Sequence, residues 1–142
     1  MTHPILFDDD DPLLARVRGI ALGFPDAAEK ISHGRPAFFT TKVFAYYGGS
    51  LRLDGQWVAH DQSIMVKADA DEREALLVDP RCYLPAYLGP SGWVGLDVDA
   101  RTDWTEVAEL IDASYRLTAD ARRVARLGPT VCCEVAHPNR GL

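Results

Sequence analysis

Apolar and polar positions along this chain follow two periods, and the switches between them mark its elements. Leu13, Leu14, Val17, Ile20 and Ala21 recur at helical spacing behind Asp11, an N-cap acceptor, and Pro12 at the first helical position. Gly23 and Pro25 end that helix. The run Asp8 to Asp11 falls at the positive end of its dipole, which accounts for four carboxylates without a metal. Asp26 followed by Glu29 reads as a capping box opening one short helical turn over Ala27 to Ile31. Gly34 and Pro36 then fix a bend around Arg35. Ala37-Phe38-Phe39 and Val43-Phe44-Ala45-Tyr46-Tyr47 are strand-length runs that Thr40-Thr41-Lys42 joins as a hairpin. Gly48-Gly49 and Asp54-Gly55 signal two further turns around Leu51-Arg52-Leu53, which makes the region a meander.

In Ser63 to Lys67, Ile64 and Val66 share one strand face, Met65 and Lys67 the other. Asp69, with Glu72 at the third position, caps a helix that Pro80 stops. Cys82 to Leu88 reads as a strand interrupted by Pro85, and Gly89-Pro90-Ser91-Gly92 as a tight turn. Trp93 to Val98 is a strand whose Val94, Leu96 and Val98 form its apolar face. Asp103 with Glu106 opens the clearest helix, where Trp104, Val107, Ala108, Ile111 and Tyr115 make one stripe. Ala119 to Leu127 continues it or forms a separate helix, and Gly128-Pro129 ends the pattern. This order predicts an α+β fold: an antiparallel sheet with helices packed on one face, the helices near 12–22 and 103–118 lying together. It excludes a doubly wound parallel sheet. Residues 1–128 are expected to form one domain and 129–142 a tail.

Composition changes this picture little. At 142 residues, 47% hydrophobic and 25% charged, the chain has the make-up of one globular domain. No apolar run approaches the ~18 residues of a membrane span, and MTHPILFDDDD has no basic n-region, so a cytoplasmic location is expected. Cys82, Cys132 and Cys133 form no pair of zinc-binding pairs and read as free thiols; with His137 the tail offers three potential ligands where zinc takes four. Gly89-Pro90-Ser91-Gly92 is no nucleophile elbow, and neither a P-loop nor a dinucleotide fingerprint occurs. No enzyme, metal or cofactor is therefore expected.

Charge distribution changes it more. The net charge of −6 argues against indiscriminate coating of nucleic acid, yet residues 30–67 carry five cations and two anions (+3). Residues 68–120, by contrast, carry four cations and twelve anions (−8). Arg35, Lys42, Arg52 and Lys67 are thus candidate phosphate contacts, with His33 beside Arg35 at the bend and Trp93 as a stacking side chain. The competing explanation makes the cations solvated strand faces and edge protection, His33 a turn residue and Trp93 a core edge.

His33-Gly34-Arg35-Pro36-Ala37-Phe38, Lys42-Val43-Phe44-Ala45, Gly92-Trp93-Val94-Gly95-Leu96 and Leu110-Ile111-Asp112-Ala113-Ser114-Tyr115 occur in an order and spacing that resemble the MmcQ/YjbR-like family of small bacterial proteins. The resemblance covers about residues 12–127. It implies a frataxin-like two-layer α+β sandwich with two β-hairpin wings that grip DNA, and no enzymatic activity. The meander from Gly48 to Gln62 is longer than the family's pattern, and the tail lies outside it. The acidic residues around 97–112, which match the place of frataxin's iron-binding ridge, read more simply as a solvated helix face. The expectation is thus a non-enzymatic module binding double-stranded DNA through basic wings. The alternative is a small protein- or ligand-binding domain without a nucleic-acid role.

Overall fold

The computed structural model describes residues 5–128. Its helices are α1 (Pro12–Ala21), α2 (Ala70–Leu76), α3 (Trp104–Thr118) and α4 (Ala121–Ala125). Its strands are β1 (Ala28–Ser32), β2 (Arg35–Phe39), β3 (Val43–Leu53), β4 (Gln56–Lys67), β5 (Cys82–Tyr83) and β6 (Trp93–Asp97). The strands form one sheet in the order β1-β2-β3-β4-β6-β5, every neighbouring pair antiparallel. Two hairpins turn on two residues at positive φ, His33-Gly34 (53° and 83°) and Asp54-Gly55 (53° and 78°). That geometry matches the right-handed twist of the flanking strands.

Strand alternation divides the side chains between two faces. On one face Phe38, Phe44, Tyr47, Ile64, Val66, Val94 and Leu96 meet Leu14 and Val17 of α1 and Val107, Ile111 and Tyr115 of α3. Ile111 and Tyr115 are fully buried, each contributing about 1.5–3 kcal/mol by burial. Tyr115 stacks on Phe24 at 5.0 Å, meets Phe44 edge-on at 5.1 Å, and donates its hydroxyl to the Pro25 carbonyl at 2.7 Å. Ser114, also buried, ties the layers together: its hydroxyl donates to the Phe44 carbonyl (2.6 Å) and accepts from the Lys67 amide (2.9 Å). A helix side chain thereby bridges β3 and β4 beyond their last paired residues, Ala45 and Val66. α1 and α3 share this face, as the periodicity predicts. On the opposite face Met65, Tyr83 and Trp93 form a second, smaller cluster with Tyr46, Leu51 and Leu88.

Several expectations are corrected. Ala27 to Ile31 is not a helical turn: Ala28–Ser32 is strand β1, paired to β2 through Ser32 and Arg35, so the hairpin outcompetes a single unsupported turn. Glu29 reaches Arg18 (2.8 Å) instead of an N-terminal amide. Gly48-Gly49 is not a turn but a bulge within one continuous β3. Only Cys82 and Tyr83 of the 82–88 segment are strand, and residues 119–127 hold the separate helix α4. Asp112 is no part of a solvated face: it is buried and held by Arg116 at 2.9 Å. The 129–142 tail, with Cys132, Cys133 and His137, lies outside the described residues. Among those described, no helix is long and apolar enough to cross a membrane.

Candidate functional site, a cavity on the far face of the sheet

The face opposite the helices holds a cavity of about 430 Å³, lined by Leu6, Ser32, His33, Arg35, Tyr46, Gly49, Ser50, Trp57, Met65 and Ala86 to Leu88. Its volume falls in the range of small-molecule sites, roughly 300–1,000 Å³. The elements that shape it are distant in sequence. The His33-Gly34 turn delivers Arg35 as the first residue of β2, and with Phe38 and Pro36 turned to the main core, Arg35 faces the other way. Leu6 is held beside this turn by its amide, which donates to the Gly34 carbonyl at 2.9 Å. From the other side the 84–88 segment crosses over, and the Ala86 amide donates to the Ser50 carbonyl at 3.0 Å. Tyr87 sits there at a φ of 65°, an unusual conformation for a bulky residue, with its ring 5.7 Å from that of Trp57. Tyr46 meets Trp93 edge-on at 5.3 Å.

Three glycines make the crowding beneath the cavity possible: Gly48, Gly95 and Gly49, whose Cβ would stand 2.5 Å from the Tyr83 hydroxyl. A Cβ on Gly48, whose φ is 86°, would stand 2.4 Å from Arg35 Nη1, so the bulge leaves the guanidinium its space. A Cβ on Gly95 would stand 2.2 Å from the Tyr83 ring, which therefore lies flat across β6. The Tyr83 hydroxyl is 2.8 Å from Ser63 Oγ, and His60 stacks on its ring at 4.1 Å while meeting Asp97 at 2.7 Å. Burial pushes the Tyr83 phenol up to about 12, so it stays protonated near neutrality.

Arg35 is the one buried cation of the site. Its side chain is 11% exposed, and Nη2 meets Asp61 at 3.1 Å, whose side chain is 63% exposed. Nη1 is buried and has no hydrogen-bond partner. A guanidinium buried with one arm unused is costly, which marks a place where a group is missing or a function is served.

The six residues singled out by sequence do not form one surface. His33 and Arg35 come together in the cavity wall. Trp93 is buried beneath it, so no open ring face is left for a nucleobase. Arg52 lies over the Trp57 ring at 5.0 Å and donates to the Gly55 carbonyl near the β3–β4 tip. Lys42 and Lys67 sit at the other end of the sheet, since β3 begins at Val43 and Lys67 pairs with Trp93. At about 3.3 Å per residue, Lys42 and Arg52 are about 33 Å apart along the chain. The segment 48–62, which carries Arg52, Asp54 and Asp61, has one cation against two anions. Sequence reasoning passed over Tyr46, Trp57, Asp61 and Tyr87. Trp57 alone carried a signal, as an aromatic just after a tight turn in a polar ribbon.

Comparison with known proteins agrees with this architecture. The YjbR family model matches residues 22–117. The crystal structure of Deinococcus radiodurans protein DR2400, whose family-model domain is DUF419, is similar with a TM-score of 0.56. The two share 17% identity over 81% of this chain and 87% of that one, a likeness of fold. No curated protein matches the sequence. With more than half its length matched, the chain belongs to the YjbR family.

Proposed function

We propose that this YjbR-family domain is a non-enzymatic binding module that takes a small molecule with an apolar body into the far-face cavity. The cavity itself supports the reading: about 430 Å³, walled by Tyr46, Trp57, Met65, Tyr87 and Leu88, with one buried cation at its edge. Few polar groups set among aromatic walls are what orient a small ligand. Binding of 2-naphthamide, a neutral aromatic probe, followed by tryptophan fluorescence, tests it. Saturable binding that Tyr87→Asn weakens is expected; asparagine tolerates the left-handed backbone and removes the ring. Failure of both this amide and the matching carboxylate, 2-naphthoate, to saturate up to their solubility limits would refute the reading.

Duplex DNA is the second reading, favoured by one observation. From Gly49 to His60 the β3–β4 hairpin runs past the residues that pair with β2 and β6, as a two-stranded ribbon with Arg52 and exposed Trp57. Electrostatics weigh against it, because the ribbon lacks a positive balance and Lys42 and Lys67 are far away. A wing gripping DNA through Arg35, Lys42 and Arg52, with or without Lys67, would give a log-log salt slope of about −2.7 to −3.6, at ~0.9 per phosphate. The cavity reading predicts no slope steeper than about −1, from Arg52 alone.

A further inference from the structure

We infer that the cavity selects anionic ligands, specifically aromatic carboxylates, and that the Arg35 guanidinium is the group that recognises the carboxylate. The inference rests on the cavity being a ligand site and deepens it by naming the ligand's charge and shape. Two independent observations meet here. The first is the imbalance of the Arg35–Asp61 pair. The guanidinium is 11% exposed and the carboxylate 63%, so water screens the anion far more than the cation. Within the cavity the pair therefore acts as a positive site despite its formal neutrality. The second is the unused arm: Nη1 is buried and donates to nothing, whereas Nη2 is committed to Asp61. Nη1 itself is packed against Gly48 rather than open to the cavity, so a carboxylate docked at Arg35 meets it when the guanidinium turns this arm outward, supplying the missing acceptor and charge at once; hydrogen bonds to ionised partners are the strong ones.

The rest of the wall sets the shape of the ligand. Away from Arg35 the lining is Tyr46, Trp57, Met65, Tyr87 and Leu88, which favours a flat apolar body over a sugar or a phosphate ester. Trp57 and Tyr87 stand 5.7 Å apart with their planes tilted by 42°, so they are not stacked on each other and both line the cavity as aromatic wall. Arg52 covers one face of Trp57, 5.0 Å from the ring centroid, and holds that ring in place. Gly48 is part of the device, because any side chain there would occupy the space of the guanidinium.

The test is calorimetry with 2-naphthoate and 2-naphthamide, which differ at the carboxylate alone, on the wild type, Arg35→Met and Tyr87→Asn. The wild type is expected to bind the naphthoate at least tenfold tighter than the amide, the scale of a hydrogen bond to a charged group. Arg35→Met should bring that ratio near one, and Tyr87→Asn should weaken both probes while keeping the ratio. Should Arg35→Met fail to fold, the wild-type ratio decides alone. Equal binding of the two probes would overturn carboxylate selection and leave the ligand-module reading standing. A preference for naphthoate that survives in Arg35→Met would overturn the assignment to Arg35. Binding of neither probe would overturn both.

Discussion

On the helix-covered face of the sheet, Phe38, Phe44, Ile64 and Val94 meet apolar stripes of α1 and α3, and the Ser114 and Tyr115 hydroxyls there are hydrogen-bonded. On the far face Met65, Tyr83 and Trp93 share their layer with a buried arginine, a strained Tyr87, a bulge and a cavity. The first face is apolar against apolar, and the polar groups buried with it, Ser114 and the Asp112–Arg116 pair, have partners. The second departs from that pattern at Arg35 and leaves volume open. A fold keeps such departures where they serve something other than stability, which is why the far face is the place to look for function.

The sharpest contrast is expected from Ile111→Ala on the covered face, a loss of about 2–5 kcal/mol in denaturant unfolding, because the side chain is fully buried and its removal leaves a cavity. A loss under half a unit would mean the two faces do not differ as described. Gly95→Ala tests the far face: its methyl would displace the Tyr83 ring, at about 1–3 kcal/mol of overpacking, and should also perturb the cavity wall. Asp61→Asn, which leaves Arg35 buried without its anion, should cost about 1–3 kcal/mol. By the same imbalance it should tighten naphthoate binding in calorimetry; weaker binding would count against Arg35 as the anion's partner.

The smallest expected effect lies at the sheet's border with α1, where Tyr47 donates to Asp11. Burial acts to raise the Asp11 carboxyl, but the bonds from Tyr47, the Leu13 amide and Gln62 outweigh it and hold the group below the usual carboxylate range. A carboxyl depressed in the folded state stabilises at pH above its unfolded value, about 3.9, and that stability is lost as pH falls through the folded value. Tyr47→Phe should thus cost about 1 kcal/mol at pH 7, and the gap from wild type should close below about pH 4. A gap independent of pH would place the cost in packing.

The covered face was legible in the sequence because its logic is local. Asp11-Pro12 and Asp103 with Glu106 announce helices, and Ile64/Val66 and Val94/Leu96 announce strand faces, each within a few residues. The far face was not. Gly48-Gly49 carries the signature of a turn, and only the presence of Arg35 and Tyr83, thirteen and thirty-four residues away, shows why it is a bulge. β1 was lost for the same reason, since its pairing with β2 decides it and the local capping pattern points elsewhere. Of the candidate site, Arg35 and His33 were visible as charge at a bend, but Tyr46, Trp57 and Tyr87 converge only once the sheet exists. The count of +3 over residues 30–67 was real in sequence and misleading in space, because the fold places Lys42 and Arg52 at opposite ends of β3.

The claim at the centre of this account is that the cavity, and not the β3–β4 ribbon, is the binding site. Amide chemical-shift mapping tests it most directly, with 2-naphthoate and a random DNA duplex titrated into separate samples of the full-length protein. The account predicts that naphthoate moves Arg35, Tyr46, Gly49, Ser50, Ala86 and Tyr87, and that the duplex at 150 mM salt moves nothing. Shifts from the duplex clustered on Arg52 to Trp57, with naphthoate silent, would contradict it.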